Sequence, residues 1–196
     1  MSNQKFFKAF FALKPGAIQE TVILSPVVYP KQFERVTGEK GKHYKSILGY
    51  LVANFKNTTF VKTPMTQAAV SDAVLLLSKT GCKKTVFIGA IGGLARGLKI
   101  GDVVATNKPR HVYSVRSIHE ETRKKLLYLR KKGIVGIDFE SRAFFAAARK
   151  AKLAARAFYV VTDLPLTKPF YIKKTKREKH KIKFALEESI KISSKK

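Results

Sequence analysis

The apolar positions of this 196-residue chain change period repeatedly, and each change marks an element. Thr21-Val22-Ile23-Leu24 is a short β-branched run stopped by Ser25-Pro26, which predicts a buried strand. Lys31–Val36 predicts a short helix closed by Gly38. Tyr44–Ala53 and Thr58–Val61, rich in β-branched and aromatic residues, predict two strands joined through a turn at Lys56-Asn57. From Thr66 to Lys79 the spacing becomes helical. Ala69, Val70, Ala73, Val74 and Leu77 share a face, with Thr66 as N-cap and Gly81 as the stop. Strands are predicted at 84–90, 102–106 and 111–115, then a charged helix over His119–Lys132 that ends at Gly133. Ile134–Ile137 predicts a strand, Ser141–Lys152 an alanine-rich helix burying Phe144 and Phe145, and Ala157–Val161 another strand. An extended loop rich in proline and lysine follows, then a basic helix from about Lys179 to Ile192. Alternation of apolar strands with helices predicts an α/β fold. The expectation is a single domain, 1–196, with a central mixed β-sheet flanked by helices on both faces and a basic C-terminal loop and helix (about 164–196). No internal repeat interrupts this order.

Composition narrows the class. Apolar residues make up 45% of the chain, enough to build a core rather than a disordered polymer. No apolar run approaches the roughly 20 residues of a membrane span. The opening Phe6-Phe7-Lys8-Ala9-Phe10-Phe11-Ala12-Leu13 is short, broken by lysine and without a small-residue cleavage site, so it does not read as a signal peptide. One cysteine, Cys82, excludes an intramolecular disulfide framework and suits a reducing cytoplasm. Forty Lys+Arg against thirteen Asp+Glu give a net charge of +27, which raises the question of nucleic acid. The cations are dispersed, however, with a dense tract only in Lys173-Lys174-Thr175-Lys176-Arg177-Glu178-Lys179-His180-Lys181. Neither zinc-finger spacing nor the aromatic–glycine signature of an RNA-binding sheet occurs, so nucleic acid is not the favoured partner. His43, His111, His119 and His180 lack paired ligands at metal spacing, and no metal site is expected.

Chemistry gathers where apolar runs end. Thr85-Val86-Phe87-Ile88-Gly89-Ala90-Ile91-Gly92-Gly93-Leu94 stops in glycines, which let a ligand approach the main chain at the carboxyl edge of a sheet. Ile137-Asp138-Phe139-Glu140-Ser141 carries a strand straight into a helix and delivers two carboxylates and an aromatic ring. Val160-Val161-Thr162-Asp163 again ends a buried strand in an acid. Such carboxylates can hold sugar hydroxyls or protonate a leaving nitrogen; they can equally cap helix or turn N–H groups.

The order of these segments resembles the purine/uridine nucleoside phosphorylase superfamily. Leu13-Lys14-Pro15-Gly16-Ala17-Ile18 with Val22-Ile23-Leu24 is similar to its opening strand. Gly89-Ala90-Ile91-Gly92-Gly93-Leu94, followed by Leu98-Lys99-Ile100-Gly101-Asp102-Val103-Val104, resembles its glycine loop and "GD-V-V" strand. Asp138-Phe139-Glu140-Ser141 resembles its "(D/E)-M-E-(S/A)" helix start, with phenylalanine in place of methionine. Val160-Val161-Thr162-Asp163 resembles its "V-V-S-D" strand end.

The resemblance implies an enzyme, a pentosyltransferase that cleaves the N-glycosidic bond of a purine or pyrimidine nucleoside. Inorganic phosphate would be its co-substrate, no cofactor would be needed, and dimers or hexamers would form. Glu140 would hold the ribose hydroxyls, Phe139 would pack on the sugar and Asp163 would serve the departing base. Met65 and Thr66 would lie by the ribose, and the amides of Gly92 and Gly93 near the base or phosphate. The chain departs from the family after the first strand. Ser25-Pro26-Val27-Val28-Tyr29-Pro30-Lys31 replaces "G-D-P-x-R", and Phe87 stands where an arginine is usual. Lys31, Lys42 and Arg96 are the replacement phosphate ligands to consider, although a lysine is a point charge and not a bidentate fork. The stretch between Val104 and Asp138 is also short for the family. Two alternatives stay open: a nucleosidase that uses water, with Glu34 the nearest candidate to activate it, and a non-catalytic, RNA-associated protein on the same fold.

Overall fold

The computed structural model describes residues 3–194. Its first half comprises α1 (Asn3–Phe11), β1 (Thr21–Ser25), α2 (Pro30–Thr37), β2 (Lys42–Lys45), β3 (Leu51–Asn54), β4 (Thr58–Lys62), α3 (Gln67–Leu77) and β5 (Lys84–Gly93). Then come β6 (Val103–Thr106), β7 (Val112–Ser114), α4 (Arg123–Lys131), β8 (Gly136–Asp138), α5 (Ser141–Lys150), β9 (Ala154–Asp163) and α6 (Lys176–Ser194). Among the described residues nine strands form one mixed sheet, in the path β2-β3-β4-β1-β5-β8-β7, with β9 beside β5 and β6 beside β9. The strands β4, β1, β5 and β9 run parallel and make the centre; β2, β3 and β6 pair antiparallel at the flanks.

Alternation along the central strands builds two cores, as a period of two requires. Val22, Leu24, Phe87, Tyr159 and Val161 face one layer, covered by α1, α3 and α5. Ile23, Val86, Ile88 and Phe158 face the other, where Phe33 of α2 and Ile190 of α6 close over them. The expected α/β domain with helices on both faces is thus the observed one. No described helix is long and apolar enough to cross a membrane.

Three elements differ from their sequence readings. Residues 44–53 form a hairpin instead of one strand. Ser46 and Gly49 turn the chain, with Ser46 N–H donating to the Tyr50 carbonyl at 2.9 Å and Tyr50 N–H to Ser46 Oγ at 3.0 Å. The opening phenylalanine run folds as α1, with Phe7, Phe10 and Phe11 buried at helical spacing. The charged helix begins only at Arg123, because Thr122 Oγ1 caps it by accepting from Lys125 N–H at 3.3 Å.

Candidate active site

The cleft that collects the acidic residues comes from one change of partner in the sheet. Strand β5 pairs with β1 from Lys84 to Phe87 and with β8 at Gly92 and Gly93. Gly92 also pairs with Asp163 of β9, so β8 lies on the same edge of β5 that β1 leaves. Between Phe87 and Gly92 no strand among the described residues occupies that edge. Ser25 bridges the start of the gap: its hydroxyl donates to the Ile88 carbonyl at 2.6 Å and accepts from Val27 and Val28 N–H at 3.2 and 3.0 Å. On the opposite edge a bulge puts Thr162 in excess, since Val161 faces Ile91 and Asp163 faces Gly92. An extra residue re-aims side chains, and here Thr162 and Asp163 both line the cleft. The cleft holds about 210 Å³, with Ala90, Ile91 and Gly92 along it and Met65, Ile118 and Phe170 among its lining residues.

Glu140 is a buried acid at this site. It is 4% exposed, and among the described residues its Oε1 has no hydrogen-bond partner. Burial, together with the charge of neighbouring Asp138, raises its carboxyl to about 7. An orphaned buried carboxylate oxygen in a cleft is a vacancy for a hydroxyl or N–H donor. Asp138 is engaged differently. Its Oδ1 accepts from Ser114 Oγ at 2.7 Å and its Oδ2 from Ser141 N–H at 2.9 Å, so it caps the start of α5. Ser141 Oγ also reaches Asp138 Oδ2 and lies 2.5 Å from Tyr159 Oη. With its single proton given to Asp138, Ser141 accepts from the tyrosine. Every oxygen of this buried chain is satisfied, and Asp138 serves as a scaffold that fixes Glu140.

Asp163 is also buried, and burial raises its carboxyl; the Thr162 hydroxyl at 3.2 Å and the Lys174 charge partly offset that. Glu121 lines the same cleft, its carboxyl raised by burial and by the charge of Asp163. Phe170 lies in the loop after β9, where Lys174 Nζ donates to its carbonyl at 3.4 Å. The loop is held by Lys168, whose Nζ reaches both Glu178 carboxylate oxygens at 2.7 Å.

Of the residues singled out in the sequence, the structure brings Asp163, Glu140, Phe139, Met65 and Gly92 to one cleft. Thr66 caps α3 by accepting from Ala69 N–H at 3.1 Å, and is not among the cleft's lining residues. Gly93 is paired within the sheet. Packing also restricts Gly92, where a Cβ would lie 2.6 Å from Pro165 Cγ in the chain that leaves β9. The phosphate candidates Lys31, Lys42 and Arg96 are not among the cleft's lining residues. Lys31 is on α2 facing the β2–β3 hairpin, Lys42 is on the edge strand with Nζ 5.7 Å from the Tyr44 ring, and Arg96 is in the turn after β5. Glu34 is likewise outside, its Oε1 accepting from Gly41 N–H and bonded to His43 Nε2, each at 2.8 Å.

Sequence reading missed Glu121, Phe170 and Lys174. Glu121 was absorbed into a predicted charged helix; Thr122 as an N-cap ahead of Arg123-Lys124 is the signal that would have freed it. Among the described residues no group of three or more His, Cys, Asp or Glu is arranged to hold a metal ion.

The chain has the nucleoside phosphorylase/nucleosidase fold. Among solved structures it is similar to uridine phosphorylase from Vibrio fischeri, with a TM-score of 0.70 at 16% identity over 90% of this chain and 88% of that one. A second structure of that enzyme matches at 0.66 and 13% identity, over 90% of each chain. AMP nucleosidase from Bacteroides thetaiotaomicron matches at 0.70 and 15% identity over 98% of both chains. No protein-family model and no curated protein matches the sequence.

Proposed function

We infer that this protein is a nucleosidase, breaking the N-glycosidic bond of a purine or pyrimidine nucleoside with water as the acceptor. The observation that carries this reading is the charge of the cleft. Glu121, Glu140 and Asp163 line it, and among the described residues no lysine, arginine or histidine does. A phosphate dianion entering that cleft would meet carboxylates with no cationic clamp among the lining residues, Lys174 acting on Asp163 from outside them. The fold likeness to enzymes named as a uridine phosphorylase and an AMP nucleosidase supports the bond class.

Glu140 accepts a ribose hydroxyl at its open Oε1, and Phe139 packs beside the sugar. Asp163, whose burial favours the protonated form, gives its proton to a nitrogen of the departing base as the bond from C1′ breaks and the electron pair leaves with the base. Glu121 takes a proton from water as the water oxygen bonds to C1′. The products are free sugar and free base, and solvent returns the proton from Glu121 to Asp163. A site that holds the sugar and neutralises the leaving group meets the needs of an oxocarbenium-like transition state.

The test is base release from a panel of purine and pyrimidine nucleosides, with and without phosphate. Release independent of phosphate is expected, with Asp163→Asn and Glu121→Gln each slower by about 10²–10⁴. Phosphate-dependent release would replace hydrolysis by phosphorolysis. No release across the panel would overturn the enzyme reading.

A further inference from the structure

Outside the cleft the molecule carries a larger concavity, about 840 Å³ against 210 Å³, between the edge strand β7 and helix α5. Arg110, Arg142 and Arg149 line it together with Tyr113 and Phe145. Arg142 and Arg149 are seven residues apart on α5, two turns, which puts them on one face of the helix about 10 Å apart. All three arginines are exposed, and among the described residues none forms an ion pair and no acidic residue lines the groove. Three unpaired cations along one groove give it a positive potential that attracts an anion. Guanidinium groups bind phosphate oxygens bidentately. A volume within the roughly 300–1,000 Å³ range of ligand sites suits a nucleotide.

We propose that this groove is a second site, one that takes the phosphate groups of a nucleotide, either free or as part of a single-stranded RNA. It is separate from the catalytic cleft but shares a wall with it. Ser114 lines the groove, accepts from Arg142 N–H at 2.8 Å and donates to Asp138 Oδ1 at 2.7 Å. Asp138 in turn lines the cleft beside Glu140. An anion drawn to the first turn of α5 therefore sits two hydrogen bonds from the residue that fixes Glu140.

The experiment titrates the full-length protein with two probes, ADP and a fluorescein-labelled oligouridylate, at about 50 and about 200 mM salt. The variant Arg110→Ala/Arg142→Ala/Arg149→Ala keeps the Arg142 backbone N–H and so the Ser114 bond. It is expected to lose at least ~10-fold in affinity, and to lower the logarithmic salt slope for the oligonucleotide by about 2. The control variant Lys173→Ala/Lys176→Ala/Arg177→Ala removes as many cations from the basic tail and is expected to bind close to wild type. ADP binding with no gain from the strand identifies a free nucleotide as the source; oligonucleotide binding without ADP binding identifies RNA. Equal losses in the two variants would reduce the groove to general surface charge and overturn the proposal, as would failure of the wild-type protein to bind either probe. Should the triple variant not fold, Arg149→Glu alone, in the exposed last turn of α5, is expected to weaken whichever probe binds. Unchanged affinity there would also overturn the proposal.

Discussion

Glu140→Gln separates what Glu140 contributes to stability from what it contributes to binding. The side chain is 4% exposed with one oxygen unpartnered, and its carboxyl is raised to about 7 from an ordinary 4.5. In the unfolded chain it ionises near 4.5, so at pH 4 it is largely protonated in both states. As pH rises through the interval, the unfolded chain releases the proton first, and the folded state becomes progressively less favoured until about pH 7. Integrating proton release for those two values gives about 2.5 kcal/mol of stability lost by the wild type between pH 5 and pH 8. Glutamine does not titrate. The constant cost of burying its amide cancels when the variant-minus-wild-type difference at pH 5 is subtracted from that at pH 8. That double difference is therefore expected to favour the variant by about 2–3 kcal/mol, read as a relative gain of roughly 5–10 °C in melting temperature. Urea or thermal unfolding at the two pH values measures it, and the variant's affinity for nucleoside is expected to fall at both. A double difference below about 0.5 kcal/mol would refute the reasoning, because the carboxyl would then ionise alike in the folded and unfolded chains.

Two further perturbations probe the frame that holds the cleft. Ser25→Ala leaves the Ile88 carbonyl and the Val27 and Val28 N–H groups without their shared partner in a fully buried position. A loss of about 1–3 kcal/mol in equilibrium unfolding is expected, together with weaker nucleoside binding. Gly101 has φ +93°, and a Cβ there would lie 2.5 Å from Lys181 Cβ on α6. Gly101→Ala is therefore expected to destabilise the protein by about 1–3 kcal/mol and to raise amide exchange along α6; protection like that of the wild type would show that the helix does not dock there.

Much of the frame was legible because short runs of three or four apolar and β-branched residues admit few other readings. β1, β4 and β9 follow from Val22-Ile23-Leu24, Thr59-Phe60-Val61 and Phe158-Tyr159-Val160-Val161. The acids at the ends of β8 and β9 were visible for the same reason, since a charge that interrupts a buried run must sit at its rim. Distance along the chain hid the rest. The glycines of β5 read as a loop, yet Gly92 is paired on both edges and is small because Pro165, more than seventy residues later, packs against it. Likewise Phe170 reaches the cleft through a loop tied down by Lys168 and Glu178, a contact that no local pattern announces.

The unoccupied edge of β5 bears on how a ligand is read, beyond the acids. Along a strand, main-chain groups of alternate residues face the same edge. The Ile88 carbonyl points to the β1 edge, where Ser25 takes it, so the N–H and C=O of Ala90 share that orientation and face the gap. Two backbone groups with fixed directions thus stand in the cleft that Glu140 also lines. Such an arrangement can orient the polar edge of a base without any basic residue. The partner exchange that opens the sheet therefore makes the room of the cleft, and Glu121, Glu140 and Asp163 line it.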